Sequence, residues 1–354
     1  MKKKGLFLFL LLAALFFSCS EQKDIVSEVS LKGYIVKIDT ANEGKWPVYL
    51  FGDMLYAVLG NNFTGGKLTK NDWQKADTLL ISGHGHNEFG YMILSQGYDG
   101  SLFVQNRDWG NGRTLSLTKI PHADSIASVK DESKWERYDL LQMPPIQQFG
   151  GVCGRFVVMS DSTILVAGAP MNDMSHVFSV INYKTQAVTP LDYWPFDSSI
   201  NLSEKLRLYA EYCGLLSNGK DKYLYWNGWG PLAFTFTIEG NHANILNELR
   251  SHIFPKGATT ERVTCCADSN RIYLLYKDSD SKGEKLKKYK DQFIFGNTVE
   301  VYDWDGVKQQ VIHLDNYGQS IMISKDGKTL YLLSDYSDDI NEPYIYSYDL
   351  NAIK

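Results

Sequence analysis

Asp326-Gly327-Lys328-Thr329-Leu330-Tyr331 joins a tight turn to a strand that opens on two large apolar residues, and this short pattern decides the fold. Asp-Gly between two apolar runs is a strong hairpin signal, because glycine enters the left-handed backbone region without steric penalty. The pattern recurs as Gly52-Asp53-Met54-Leu55-Tyr56, Asp99-Gly100-Ser101-Leu102-Phe103 and Asp161-Ser162-Thr163-Ile164-Leu165. Two further copies are Asn218-Gly219-Lys220-Asp221-Lys222-Tyr223-Leu224 and Asp268-Ser269-Asn270-Arg271-Ile272-Tyr273. The second large residue falls at 56, 103, 165, 224, 273 and 331, at intervals of 47 to 62 residues.

Working outward, copies are preceded by an apolar run, as at 319–323 and 155–159, and followed by another, as at 344–348 and 299–303. Inner strand, tight turn, second strand and third strand, repeated six times, describe an all-β, six-bladed β-propeller. A large β-sandwich would not repeat one hairpin at near-constant spacing. The last copy runs out of chain after three strands, while Tyr34-Ile35-Val36-Lys37-Ile38 has strand character and no blade of its own. It is expected to supply the fourth strand of the last blade and remove a free edge. One short helix is expected at 244–253, where Ile245, Leu246 and Leu249 have helical spacing.

The amino terminus reads differently. Lys2, Lys3 and Lys4 precede an apolar run from Leu6 to Phe17, then Ser18 and Cys19. That is the layout of a secretory signal peptide, and its run of about 12 residues is too short to span a bilayer, which takes about 20. Leu15-Phe16-Phe17-Ser18-Cys19 resembles the bacterial lipobox, with Phe16 where leucine is usual. The expected organisation is a signal peptide over 1–18, a lipid-anchored tether over 19–30 and the propeller over 31–354. Ser20-Glu21-Gln22-Lys23-Asp24 reads as flexible, and an acidic tract there is similar to the surface-export signal of Bacteroides-group lipoproteins. Cys19 is thus the expected lipid attachment site and the outer membrane the expected address. The tether is expected to leave from the outer rim of the last blade.

Loss of the three leader lysines takes the formal charge from −5 to about −8. An acidic domain lacks the basic patch that phosphate binding needs, so no nucleic-acid partner is expected. Cys153, Cys213, Cys265 and Cys266 show no CxxC spacing, and packed, reduced thiols are preferred to a vicinal ring at 265–266. The lysine-rich run 282–290 reads as a solvated loop insertion. There is no Gly-x-Ser-x-Gly and no Walker lysine motif.

Ile81-Ser82-Gly83-His84-Gly85-His86-Asn87-Glu88-Phe89 lies between the first two blades. It resembles the Gly-x-Gly-Pro-x-Glu-aromatic signature of TolB-like six-bladed propeller lipoproteins common in Bacteroides. Gly83, Gly85, Glu88 and Phe89 match, and His86 stands where proline is usual. With the lipobox and the blade count, the resemblance covers effectively the whole chain. It implies a six-bladed propeller at the cell envelope and names no reaction.

In a propeller, the links from outer strand to next inner strand surround the channel mouth. That places His84, His86 and Glu88, then Glu211, Glu261, Arg262 and Asp315, among the candidate ligand-binding residues. Arg155 is expected to point a guanidinium down the channel. Trp109 and Trp229 fall in turns on the same face, where rings beside amides suit sugars or peptides; wedging between blades is the other reading. His84, His86 and Glu88 alternate, so an extended segment would present them together to a zinc-type ion. The competing reading is a glycine-shaped loop whose Glu88 caps backbone amides. No cofactor is predicted beyond that possible divalent metal. Two functions stand. The first is a binding or scaffolding module for a glycan, peptide or envelope protein. The second is a metal-dependent hydrolase or lactonase using the same mouth.

Overall fold

The structure, a computed structural model, describes residues 26–39, 45–97, 99–108, 114–140, 155–167, 176–193, 213–227, 232–251, 261–278, 295–334 and 344–352. Three strands come first: β1 (Ser27–Leu31), β2 (Tyr34–Ile35) and β3 (Lys37–Ile38). Blade 1 is β4 (Trp46–Phe51), β5 (Met54–Leu59), β6 (Asn62–Lys67) and β8 (Asp77–Leu80), with β7 (Asp72–Trp73) between the last two. Blade 2 is β9 (Tyr91–Gln96), β10 (Leu102–Asp108), β11 (Thr114–Ile120) and β12 (Glu136–Asp139). Blade 3 is β13 (Phe156–Val158), β14 (Thr163–Ala167), β15 (Phe178–Asn182) and β16 (Ala187–Pro190). Blade 4 is β17 (Cys213–Ser217), β18 (Lys222–Asn227), β19 (Leu232–Glu239) and β20 (His242–Ser251). Blade 5 is β21 (Glu261–Ala267), β22 (Arg271–Asp278), β23 (Gly296–Asp303) and β24 (Lys308–Gly318). Blade 6 is β25 (Ser320–Ile323), β26 (Thr329–Ser334) and β27 (Tyr344–Asp349), completed by β2.

All six repeated turns join the first strand of a blade to its second. The paired large residues after them explain the repeat. Neighbouring residues of a strand face opposite sides of the sheet, so each pair serves both gaps beside its blade. Leu55, Leu102, Ile164, Tyr223, Ile272 and Leu330 pack toward the preceding blade. Tyr56, Phe103, Leu165, Leu224, Tyr273 and Tyr331 pack toward the following one. Six inter-blade cores result, and burying each such side chain contributes about 1.5–3 kcal/mol.

The ring closes as expected through Tyr34–Ile35, since β2 runs antiparallel to β27 with Tyr34 opposite Ser347 and Ile35 opposite Tyr346, whereas Lys37–Ile38, expected in the same strand, pairs parallel with β7. Closure also extends further than expected. Ser27–Leu31, of which residues 27–30 were expected to be tether, is a strand parallel to β24, from Ser27 beside Gln310 to Leu31 beside Leu314. Its alternation is weak because only one face packs, with Val29 and Leu31 against the core between blades 5 and 6. The described chain therefore begins on blade 5, not on the last blade from which the tether was expected to leave.

The expected helix at 244–253 is instead the strand β20. Two bulges leave Leu246 and Leu249 as the extra residues, because Thr235 and Phe236 pair with Asn247 and Ile245, while Ala233 and Phe234 pair with Arg250 and Glu248. Inserted residues break the period of two, and here they imitate helical spacing. The longest helix among the described residues is Ile126–Lys130. None of their helices is long and apolar enough to cross a membrane.

Candidate functional site

The propeller has two faces. The hairpin face carries the turns from first to second strand and from third to fourth. The entry face carries the turns from second to third strand and the links between blades. The connections 140–155, 191–212 and 279–295 all belong to the entry face. On the hairpin face only 121–135 approaches that length, and its helix buries Val129 in the core between blades 1 and 2.

Arg155 immediately precedes the inner strand of blade 3, at its entry end. Its Nη1 donates to the Tyr49 hydroxyl at 2.5 Å, and its Nε donates to the Cys213 carbonyl at 3.3 Å. Tyr49 lies on the inner strand of blade 1 and Cys213 opens that of blade 4. A side chain from blade 3 thus reaches a blade that is not its neighbour in the ring. The guanidinium ties the inner strands of blades 1, 3 and 4 together near the entry face. Sequence reasoning missed Tyr49, because a channel contact between non-adjacent blades has no signature along the chain. A bulge at Val48 sets Tyr49 opposite Tyr56, and its ring stacks 5.9 Å from Phe51.

The glycine-rich link is a compact loop, not an extended segment. Asn87 adopts a positive φ of 63° and turns the chain back, so that Gly83 N donates to Phe89 O at 2.9 Å. Glu88 Oε2 accepts the Gly85 amide at 2.8 Å. A Cβ at Gly83 would lie 2.0 Å from Glu88 Oε2, and one at Gly85 2.9 Å from Glu88 Cδ. The two glycines are therefore shaped around the carboxylate, which is the capping reading. His84 and His86 are exposed while Glu88 turns onto the backbone, so the expected alternation is lost at the bend. Among the described residues no group of three His, Cys, Asp or Glu is arranged to hold a metal ion.

This loop also leans outward. Asn87 Nδ2 donates to Glu132, Phe89 packs 5.8 Å from the Trp135 ring, and Arg137 stacks over Phe89. Those partners belong to the outer part of blade 2. Burial of Phe89 between blades 1 and 2 draws the loop there and away from the channel.

The remaining candidates divide. Asp315, expected in a link at the mouth, is in β24, where its Oδ1 accepts from Gly33 N at 2.9 Å, Tyr348 OH at 3.1 Å and Asn316 Nδ2 at 2.7 Å. It latches the amino-terminal segment to blades 5 and 6. Burial, and then the Asp315 charge, push the Tyr348 hydroxyl pKa up. Glu261 and Arg262 are the first residues of β21, at the entry end of blade 5's inner strand. Trp226 lies flat on Gly214, where a Cβ would come within 2.0 Å of the indole, and packs between blades 4 and 5. Cys19, Trp109, Cys153, Glu211, Trp229 and the run 282–290 lie outside the described residues. Cys265 and Cys266 pair with Leu274 and Tyr273 on opposite faces of one strand, and neither is in a disulfide. Burial pushes the Cys266 thiol pKa well up.

No family model matches the chain, and a search of curated proteins finds no match. The structure is similar to that of a member of the DUF4221 family from Bacteroides vulgatus, with a TM-score of 0.56 and 11% identity. That likeness covers 90% of this chain and 96% of the other. A gluconolactonase from Xanthomonas campestris has a TM-score of 0.42 at 11% identity, covering 83% of this chain and 82% of that one. An oligogalacturonate lyase from Vibrio parahaemolyticus has 0.43 at 11% identity, covering 87% and 79%. The first likeness is one of fold alone, and the two enzymes are too distant to bear on chemistry here.

Proposed function

We propose that this chain is an envelope lipoprotein, anchored at Cys19, whose propeller is a binding or scaffolding module. Its entry face, around Arg155, takes a glycan, a peptide or a partner protein. The observation that carries this reading is the asymmetry of the two faces. Strand turns on the hairpin face are mostly as short as strand geometry permits, whereas the entry face spends long connections that no blade needs for closure. Long connections on a rigid scaffold are where recognition concentrates. Arg155 ties three inner strands together at that face and offers a cation there.

Photo-crosslinking in the native envelope tests this. A photoreactive residue in place of Asn61, exposed in an entry-face turn, is expected to give discrete protein or glycan adducts. The same residue in place of Lys325, on the hairpin face, is expected to give none. Adducts from Lys325 alone, or from neither position, would overturn the reading. The anchor is checked separately: Cys19→Ser should move the protein from the membrane to the soluble fraction.

A further inference from the structure

The direction of β1 carries a consequence for how the molecule sits on its membrane. β1 is parallel to β24, and β24 runs from the hairpin face to the entry face. Ser27 therefore lies at the hairpin-face end of blade 5, beside Gln310 and just past the turn at 304–307. The strand is pinned there: Gln310 Nε2 donates to Ser27 Oγ at 3.2 Å, and His313 meets Glu28 at 3.3 Å. Val307, in that same turn, is one of the exposed large apolar residues.

We propose that the bilayer lies against the hairpin face, so that the entry face points away from the membrane. The inference rests on the reading that Cys19 carries the lipid. Seven residues separate Cys19 from Ser27, and the eight Cα–Cα steps between them reach at most about 29 Å when fully extended. Along β24, the distance from Gln310 to Gly318, at the entry end, is about 26 Å. A tether climbing that far would use nearly its whole reach merely to bring the lipid level with the entry face. The hairpin face is only about 7 Å from Ser27, two residues along the strand. Short-tether geometry thus selects one face, and the ligand of the entry face must come from the compartment beyond the membrane surface.

The test uses the full lipidated chain in liposomes of phosphatidylethanolamine and phosphatidylglycerol with an acceptor dye on the headgroups. A donor dye is clicked onto p-azidophenylalanine in place of Asp53 or of Asn61. These exposed positions flank β5 at the hairpin and entry faces of one blade, about 20 Å apart. Energy transfer from position 53 is expected to exceed that from position 61 by about twofold or more, given that separation. Equal or reversed transfer overturns the orientation. Inserting about 20 Gly-Ser residues after Lys23 gives a flexible, longer tether and is expected to erase the difference. A difference that survives the insertion overturns the tether as its cause. Failure of the lipidated chain to float with liposomes, with Cys19→Ser behaving identically, overturns the anchor itself and is read independently of the dyes.

Discussion

Glu300→Gln removes one negative charge from between two cations that join blade 4 to blade 5. Glu300 is 6% exposed and takes Arg250 Nη2 at 2.6 Å, Lys308 Nζ at 2.6 Å and the Tyr302 hydroxyl at 2.8 Å. Arg250 comes from the outer strand of blade 4 and also stacks 4.8 Å over Tyr276. Burial and then the Glu300 charge hold the proton on Tyr302, so its hydroxyl remains a donor throughout the usual pH range. Breaking a buried ion pair from one side costs about 3–5 kcal/mol, because the abandoned charge stays desolvated. The side chains of Arg250 and Lys308 are 31% and 34% exposed and recover some hydration, which brings the expected loss to about 2–4 kcal/mol. Urea unfolding of the soluble domain measures it. Glu300→Gln combined with Arg250→Met should lose less than the sum of the two single changes, with a coupling of about 0.5–3 kcal/mol. The loss should persist in 1 M salt, because buried charges are poorly screened. A loss below about 0.5 kcal/mol, or strictly additive changes, would refute the cluster as a lock between blades.

Three further outcomes follow from particular contacts. Gly83→Ala drives a Cβ into the Glu88 carboxylate and should cost about 1–3 kcal/mol; adding Glu88→Ala should return part of that in the same unfolding assay. Asp99 is held down at about pKa 2, since desolvation, which raises it, is outweighed by hydrogen bonds from Lys119 and Ser101. A depressed carboxylate contributes its stability above its unfolded pKa of about 4 and loses it as pH falls through the folded value. Asp99→Asn should therefore flatten the decline in stability between about pH 4 and 2, and an unchanged slope would remove Asp99 as its source. Asp315→Ala unlatches Gly33 and Tyr348 and should raise amide hydrogen exchange across β1 and β2 selectively; uniform protection there would show that the sheet pairing alone holds the closure.

Much of the architecture was legible because it is repeated. A turn that needs Asp, Asn or Gly, followed by two residues that must fill two neighbouring cores, prints a similar phrase of five to seven residues in every blade. The closing strand at Tyr34 was legible from arithmetic, since three strands in the last blade leave one owing. The candidate site was legible only in part. Gly83, Gly85 and Glu88 announced a shaped loop, and Arg155 a cation at an inner strand. The alternation of His84, His86 and Glu88 misled, because one left-handed residue, Asn87, cancels the geometry that alternation presumes. Leu246 and Leu249 misled in the same way, as bulged residues that imitate a helix.

The sequence by itself determined the blade count and the turn at the start of each blade's second strand. These depend on residues near one another in the chain, where backbone and side-chain preferences act directly. Only the tertiary structure decided that Arg155 meets Tyr49 two blades away, that Asp315 serves the closure and not the mouth, and that Ser27 lies at the hairpin end of blade 5. Each of these joins residues separated by 100 to nearly 300 positions. Such contacts follow from how the six sheets close into a ring, and no local pattern along the chain encodes them.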